Sequence, residues 1–252
     1  MVKGLDLFRV SFSAYQDRYV PIGGTASTLV LEEAGLPFRA TKDLDIVLCV
    51  QGFDAEFAQA FWKFVKTGGY SNRQKSTGKR LFYRFDDPSR SDFPEMLELF
   101  SRVPDALAID DAAHLTPIPV GEDASSLSAI LLDPAYYSFI HSGKRILEEL
   151  SIVGPDRLIP LKARAWLDLR KRRGAGERID ERDVRKHRND IIRLYNVLDP
   201  ATAVVAPDSI RADLRQFLSR LPGESGLDLP ALGFRSTTIE EIVRRLSGVY
   251  QL

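Results

Sequence analysis

The chain contains Tyr19-Val-Pro-Ile-Gly23-Gly24-Thr25-Ala26 and, soon after it, Arg39-Ala-Thr41-Lys-Asp43-Leu-Asp45-Ile-Val-Leu48. The first segment predicts a short strand that stops at two glycines, with a helix starting near Thr25. The second predicts a strand over residues 43–50. It carries two aspartates at i and i+2 on one face and only apolar residues on the other. We therefore expect the apolar face of this strand to pack in the core and the face with the two aspartates to form a functional site.

The glycine turn has the properties of a phosphate-binding loop. Gly23 and Gly24 let backbone N–H groups approach a polyphosphate closely, and Thr25 adds a hydroxyl at a helix N-terminus, where free N–H groups and the helix dipole attract anions. Glycines in such a turn also serve purely conformational needs, so this alternative stays open for the turn alone.

The aspartate pair is the stronger signal. Asp43 and Asp45 on one face of an apolar strand would repel each other and resist burial unless a cation or a basic side chain compensated them. Carboxylates in this arrangement can share divalent cations. The alternative is a pair of aspartates at a solvated strand end.

A third carboxylate is expected from Met96-Leu-Glu98-Leu-Phe100, which reads as a strand with one acid among apolar neighbours. Glu98 would complete a two-metal Mg²⁺ site with Asp43 and Asp45. Glu95 is the poorer choice because it lies on the other face, next to a proline. Three nearby cations could contact phosphate, although we expect them to be exposed residues at a sheet edge: Lys79, Arg80 and Arg84.

The periodicities predict an α+β protein in two parts. Residues 1–125 form a core of mixed sheet and flanking helices, with weaker strand candidates at 115–120 and 128–132. Residues 126–252 form a mostly helical C-terminal domain, and the boundary falls in a Gly-Glu-Asp-Ala-Ser-Ser stretch. Helices are predicted over 133–150, 160–172, 180–198, 209–221 and 238–246.

Composition indicates a globular protein with a sizeable core, since the chain has 252 residues of which 44% are hydrophobic and 28% charged. No apolar run approaches the roughly 20 residues that cross a bilayer, and the N-terminus lacks a signal-peptide profile. We therefore expect a cytoplasmic protein with no membrane partner.

Charge is segregated along the chain although the formal net charge is +0. Residues 157–193 contain 13 Lys and Arg against 6 Asp and Glu. This segment is either a platform for nucleotide phosphates or an RNA backbone, or simply the solvated face of helices. Within it, Lys186 and Asp190 are spaced i, i+4 and could form a helix-stabilising ion pair.

These motifs together resemble the AbiEii-type nucleotidyltransferases, a family within the superfamily built on the DNA polymerase β-like core that includes toxins of toxin–antitoxin and phage-defence systems. The resemblance covers residues 19 to 195. It rests on the following blocks: Gly23-Gly24-Thr25-Ala26, Arg39-x-Thr41-x-Asp43-Leu-Asp45, Lys162-x-x-Ala165 and Lys186-His-Arg-Asn-Asp190.

The resemblance implies a role for each block. Gly23, Gly24 and Thr25 would hold the triphosphate of an NTP, and Asp43 and Asp45 would bind Mg²⁺. Lys162 and Asp190 would complete the nucleotide site from the helical side. Glu98 stands where the commonest pattern has aspartate.

The expected function is Mg²⁺-dependent transfer of a nucleoside monophosphate from an NTP to an acceptor hydroxyl. We expect RNA, such as a tRNA 3′ end, as the acceptor, and the resemblance also implies a possible antitoxin protein as a partner. Two alternatives remain open. One is a nucleotidyltransferase acting on a small molecule or a protein, and the other is a catalytically silent nucleotide-binding module.

Overall fold

The computed structural model of the chain describes residues 3–36, 43–48, 55–72, 82–100, 130–131, 133–199 and 201–252. Helices and strands alternate up to α3 in the N-terminal part, and three strands follow: α1 (Leu5–Ser11), β1 (Tyr19–Ile22), α2 (Gly23–Glu33), β2 (Asp43–Leu48), α3 (Ala55–Gly68), β3 (Ser71–Asn72), β4 (Phe82–Asp86) and β5 (Met96–Phe100). The predicted strand–glycine–helix–strand order is therefore confirmed.

Five of these strands form one mixed sheet in the order β1-β2-β5-β4-β3. Strands β2 and β5 are parallel, and the other neighbouring pairs are antiparallel. A mixed sheet with flanking helices confirms the predicted α+β class. The predicted strand at 115–120 and the predicted boundary near residue 125 lie outside the described residues.

The two faces of the sheet differ in character because side chains alternate along each strand. Phe85, Leu97 and Leu99 lie on one face, and each is at most 1% exposed. The rings of Phe61 and Trp62 on α3 lie 5.6 Å and 5.7 Å from that of Phe85. Helix α3 therefore covers the apolar face, and the positions of the predicted site belong to the opposite one.

The C-terminal part contains five helices and one hairpin within the described residues: α4 (Pro134–Ser142), β6 (Lys144–Leu147), β7 (Leu150–Val153), α5 (Pro155–Gly174), α6 (Glu181–Tyr195), α7 (Asp208–Arg220) and α8 (Ile239–Val249). Three predicted helix starts are confirmed by their caps. The side chains of Asp133, Asp180 and Thr238 accept hydrogen bonds from the N–H groups of Ala135, Arg182 and Glu241.

The predicted helix over 133–150 is wrong in its second half. Helix α4 ends at Ser142, and residues 144–153 form the antiparallel pair β6–β7. Gly143 caps the helix, and all four residues of β7 are buried in contact with β1. Packing against the sheet thus overrides the local helical pattern of this segment. The predicted strand at 128–132 is wrong where it is described, since Ile130 is helical and Leu131 lies in a turn.

Helix α5 begins at Pro155 rather than at the predicted Pro160, which lies inside the helix. A proline within a helix removes the N–H that would bond to the carbonyl four residues earlier. That carbonyl belongs to Asp156, and it accepts a hydrogen bond from the Tyr250 hydroxyl at 2.9 Å. The last turn of the chain therefore satisfies a group that Pro160 leaves unpaired, which explains why the helix continues.

The turn between β6 and β7 is backbone-strained. Its two central residues, Glu148 and Glu149, have φ values of 44° and 65°. Positive φ at both positions is the geometry of a type I′ turn, for which Asn-Gly is the favoured pair. Glu148 also pairs with Arg9, its Oε2 lying 3.2 Å from Nη2. Glu149 is the better position for relieving the strain.

We expect Glu149→Gly to raise the free energy of unfolding by about 1 kcal/mol, because glycine adopts positive φ without the steric cost that a Cβ atom brings. Urea unfolding measures the difference. Glu149→Ala is the matched control, since it removes the carboxylate but keeps the Cβ atom, and we expect it to change stability by less than about 0.5 kcal/mol. Equal stability of the two variants would contradict the strain argument.

Candidate functional site

A row of charged residues crosses three strands on the face opposite α3. Asp45 on β2 is the register partner of Glu98 on β5, and Glu98 is the register partner of Arg84 on β4. Register partners share a face of a sheet, so these residues form one row across it. We call it the charged row. The next row has Asp43 beside Met96 and then Asp86. The side chains of Asp43 and Asp45 lie outside the described part of the chain.

Glu98 is buried, with 6% exposure, and it is held by arginine. The Arg84 guanidinium donates from Nε to Glu98 Oε1 at 2.8 Å and from Nη2 to the same oxygen. The expectation that Arg84 is exposed surface is therefore wrong, because its side chain is only 26% exposed and is paired with Glu98. The guanidinium supplies the positive charge that a buried carboxylate requires. Lys79 and Arg80 lie outside the described residues.

The glycine turn lies beside this row. Ile22, the last residue of β1, is the register partner of Asp45, and α2 begins at the next residue, Gly23. Gly23 has a φ of 73°, in the left-handed region where glycine is favoured. The turn and the first two turns of α2 are buried. The structure thus brings the predicted phosphate loop next to the predicted metal ligands.

Two hydroxyls in α2 are engaged with the helix backbone. Ser27 Oγ donates to the carbonyl oxygen of Gly23 at 2.8 Å, and Thr28 Oγ1 donates to that of Gly24 at 2.9 Å. Thr25 is fully buried. The first N–H groups of a helix have no partner within the helix itself, so the backbone at Gly23 and Gly24 is where α2 can offer donors to an anion.

Lys162 and Asp190 are brought together across two helices. Lys162 Nζ on α5 donates to Asp190 Oδ2 on α6 at 2.8 Å, and the two side chains are 1% and 0% exposed. Arg193 Nη1 lies 3.7 Å from the other carboxylate oxygen. Lys186, the predicted i, i+4 partner of Asp190, is exposed at the surface of α6. The salt bridge of Asp190 with Lys162 is therefore interhelical, whereas Lys186 is exposed to solvent.

The buried pair lies in the helical layer that supports the glycine turn. Helix α2 packs against both α5 and α6, and α5 and α6 pack closely against each other. The pair connects the two helices on which α2 rests. Both charged groups are buried between the helices. The geometry therefore favours a role for Lys162 and Asp190 in positioning α5 and α6 beneath the glycine turn.

Positions 43, 45 and 98 share one sheet face by register. Their residue types, aspartate and glutamate, carry the oxygen ligands that Mg²⁺ prefers. Their chemistry fits a divalent cation. Among the side chains that the structure describes, no group of three or more His, Cys, Asp or Glu residues is arranged to hold a metal ion. Of the predicted ligands only the Glu98 side chain is within that set, and its present cation is the Arg84 guanidinium.

A basic ridge lies around the turn that joins α5 to α6. We define it by exposed cations that form no ion pair with any residue the structure describes: Lys171, Arg178, Arg185 and Lys186. Neighbouring cations are neutralised, since Arg172 pairs with Glu177 and Arg182 with Asp180. The predicted basic segment is thus partly neutralised by ion pairs, and its exposed cations outside these pairs lie near the turn between α5 and α6.

The role of Arg84 at Glu98 and the presence of Asp86 on the same face were missed from the sequence. A signal was available, because Arg84 and Asp86 flank the buried Phe85 in strict alternation and so share the face opposite to it. What could not be known without strand order was that β4 lies directly beside β5.

No protein-family model matches the chain, and no curated protein matches it either. Over the residues that the structure describes, every helix is too short or too polar to span a lipid bilayer.

Proposed function

We propose that the protein is a Mg²⁺-dependent nucleotidyltransferase that transfers a nucleoside monophosphate from an NTP to an acceptor hydroxyl. The observation that carries the proposal is the adjacency of the charged row and the glycine turn: Asp45 is the register partner of both Ile22 and Glu98. A phosphate-binding backbone and a set of carboxylates next to each other are what phosphoryl transfer requires. The resemblance to AbiEii-type nucleotidyltransferases supports the same reaction.

Different residues have different roles in the proposed transfer reaction. Asp43, Asp45 and Glu98 would hold the divalent cations, which supply charge neutralisation on the triphosphate and lower the pKa of the attacking hydroxyl. Backbone N–H groups at Gly23 and Gly24 bind phosphate oxygens. The acceptor oxygen bonds to the α-phosphorus, the bond to the bridging oxygen breaks, and pyrophosphate leaves. The hydroxyl proton passes to a carboxylate of the row.

Lys162 and Asp190 contribute by holding the helices that carry the turn. Their interhelical contact holds α5 and α6 in a fixed position relative to each other, and α2 packs against both. A transfer site depends on geometry held to a fraction of an ångström, so a rigid support for the phosphate loop favours catalysis.

RNA is the acceptor class that we propose, because the basic ridge offers four exposed cations around the turn between α5 and α6. Exposed Lys and Arg side chains bind a phosphate backbone by releasing condensed counterions, which makes the affinity depend on salt. A small-molecule acceptor would gain nothing from such a ridge.

We expect that neutralising the basic ridge will weaken RNA binding and make it less dependent on salt. Replacement of all four residues by glutamine should lower the slope of log K against log[salt] by roughly 3, since each lost contact to a single strand contributes about 0.7. Fluorescence anisotropy with a labelled RNA over a series of salt concentrations measures this slope. NTP binding should stay at the wild-type level.

The matched control also carries four replacements of a cation by glutamine, at exposed positions outside the ridge: Arg215, Arg220, Arg235 and Arg244. This variant has the same net charge as the ridge variant, so a general charge effect would lower both slopes equally. An equal slope in the two variants would contradict the ridge as the RNA-binding surface.

The transfer reaction itself is tested with α-labelled NTPs, supplied one at a time with Mg²⁺. Label that enters total RNA supports the proposal. Label that enters only an RNase-treated extract would show that the acceptor is a small molecule or a protein. Absence of both transfer and Mg²⁺-dependent NTP binding by calorimetry would overturn the proposal in favour of a silent module.

A further inference from the structure

The Glu98 carboxylate has a cation within the protein. Two donors of the Arg84 guanidinium converge on Glu98 Oε1, one of them at 2.8 Å. The Glu98 side chain is 7% exposed and that of Arg84 is 26% exposed. The carboxylate is thus enclosed, whereas the longer arginine reaches it from the solvent side.

The charged row explains why this cation is needed. Asp45 and Glu98 are register partners on adjacent strands, and like charges directly opposite each other in a sheet destabilise it. The guanidinium follows on the same row and offsets one of the two negative charges. A divalent cation bound to the same carboxylates would offset both, and its site would then repel the guanidinium.

We propose that Arg84 is an internal counter-ion that competes with the divalent cation for Glu98, so that the site takes up metal only as Arg84 releases the carboxylate. This inference rests on the proposed function. Exchange is physically open to Arg84, because its partial exposure lets the guanidinium move into solvent while Glu98 stays in place. Once released, the guanidinium is suited to phosphate oxygens, which it binds in the same forked geometry as carboxylates.

The test measures Mn²⁺ binding by calorimetry and by electron paramagnetic resonance, without nucleotide. We expect Arg84→Gln to bind Mn²⁺ about 10- to 100-fold more tightly than the wild type, since a hydrogen-bonded charge pair no longer has to be broken. In the absence of metal the variant should unfold at a lower temperature than the wild type. Mn²⁺ should raise its unfolding temperature by more, because binding to the folded state alone stabilises it.

Arg90→Gln is the matched control. Arg90 also makes a forked pair with a carboxylate, that of Asp92, at 3.1 Å and 2.7 Å, but on an exposed loop. Its replacement should leave Mn²⁺ affinity unchanged. Arg84→Lys is a second variant that keeps the charge and loses the fork. It should bind Mn²⁺ with an affinity between those of the wild type and Arg84→Gln, and it serves if the glutamine variant does not fold.

Unchanged Mn²⁺ affinity in both Arg84 variants would overturn the inference, even in a protein that transfers nucleotides normally. An equal gain in Arg90→Gln would overturn it as well, since the effect would then be one of net charge. The inference can hold even if the proposed function fails. Mn²⁺ binding that is tighter in Arg84→Gln, and that is lost when Glu98→Gln is added, supports the inference whether or not any acceptor is labelled.

Discussion

Lys162→Met is expected to lower the free energy of unfolding by about 3–5 kcal/mol, the range found when one partner of a buried ion pair is removed. Asp190 is 0% exposed, and Lys162 Nζ is 2.8 Å from its Oδ2. Without the ammonium group the carboxylate keeps its desolvation cost and loses its closest cation. Arg193, at 3.7 Å from the other oxygen, compensates only in part. Urea unfolding followed by circular dichroism measures the loss.

Two further variants separate the pair from its surroundings. Lys186→Met makes the same substitution at an exposed position of α6 and should change stability by less than about 0.5 kcal/mol. Lys162→Met combined with Asp190→Asn should recover part of the loss, because the remaining buried group carries no charge. If the free energy of unfolding of Lys162→Met alone stays within about 1 kcal/mol of the wild-type value, the ion pair does not hold α5 to α6.

Asp45→Asn is expected to lower the rate of nucleotide transfer by roughly a thousandfold or more, since a lost metal ligand removes several kcal/mol of transition-state stabilisation. Asparagine has the same shape as aspartate, so the pairing of β2 with β1 and β5 should persist. Transfer of label from an α-labelled NTP under single-turnover conditions measures the rate. Asp43→Asn should have an effect in the same direction.

Asp6→Asn provides the control for this substitution. Asp6 is an exposed aspartate of α1 that pairs with Arg9 at 3.3 Å, away from the charged row. Its replacement should leave both the transfer rate and stability close to those of the wild type. Full transfer activity in both Asp43→Asn and Asp45→Asn would show that the carboxylates of β2 do not perform the chemistry.

Local patterns were sufficient for most of the elements near the site. The glycine pair predicted where β1 ends, and α2 begins at Gly23, two residues before the predicted start near Thr25. The strands predicted around Asp45 and Glu98 correspond to β2 and β5. Each of these signals depends on neighbours within a few residues. The same reasoning failed at residues 143–153, where burial of β7 against β1 decides the conformation and no local signal reports that contact.

The contacts between site residues were harder to predict from the sequence. Arg84 and Glu98 are 14 positions apart, and Lys162 and Asp190 are 28 apart. The resemblance grouped Lys162 with Asp190 as nucleotide-site residues, but their direct contact and their complete burial follow from the packing of α5 on α6. The side-chain period within one helix had instead suggested Lys186 as the partner of Asp190.

The sequence by itself determined which residues are suited to catalysis or binding: a glycine pair between a strand and a helix, acids on one strand face, and a basic segment among helices. These properties follow from residue type and short-range spacing, which no packing can change. The tertiary structure alone decided which charges meet, because strand order and register set the neighbours of every residue in a sheet. It thereby put Asp45 beside Glu98 and the glycine turn, and it gave Glu98 an arginine for its cation.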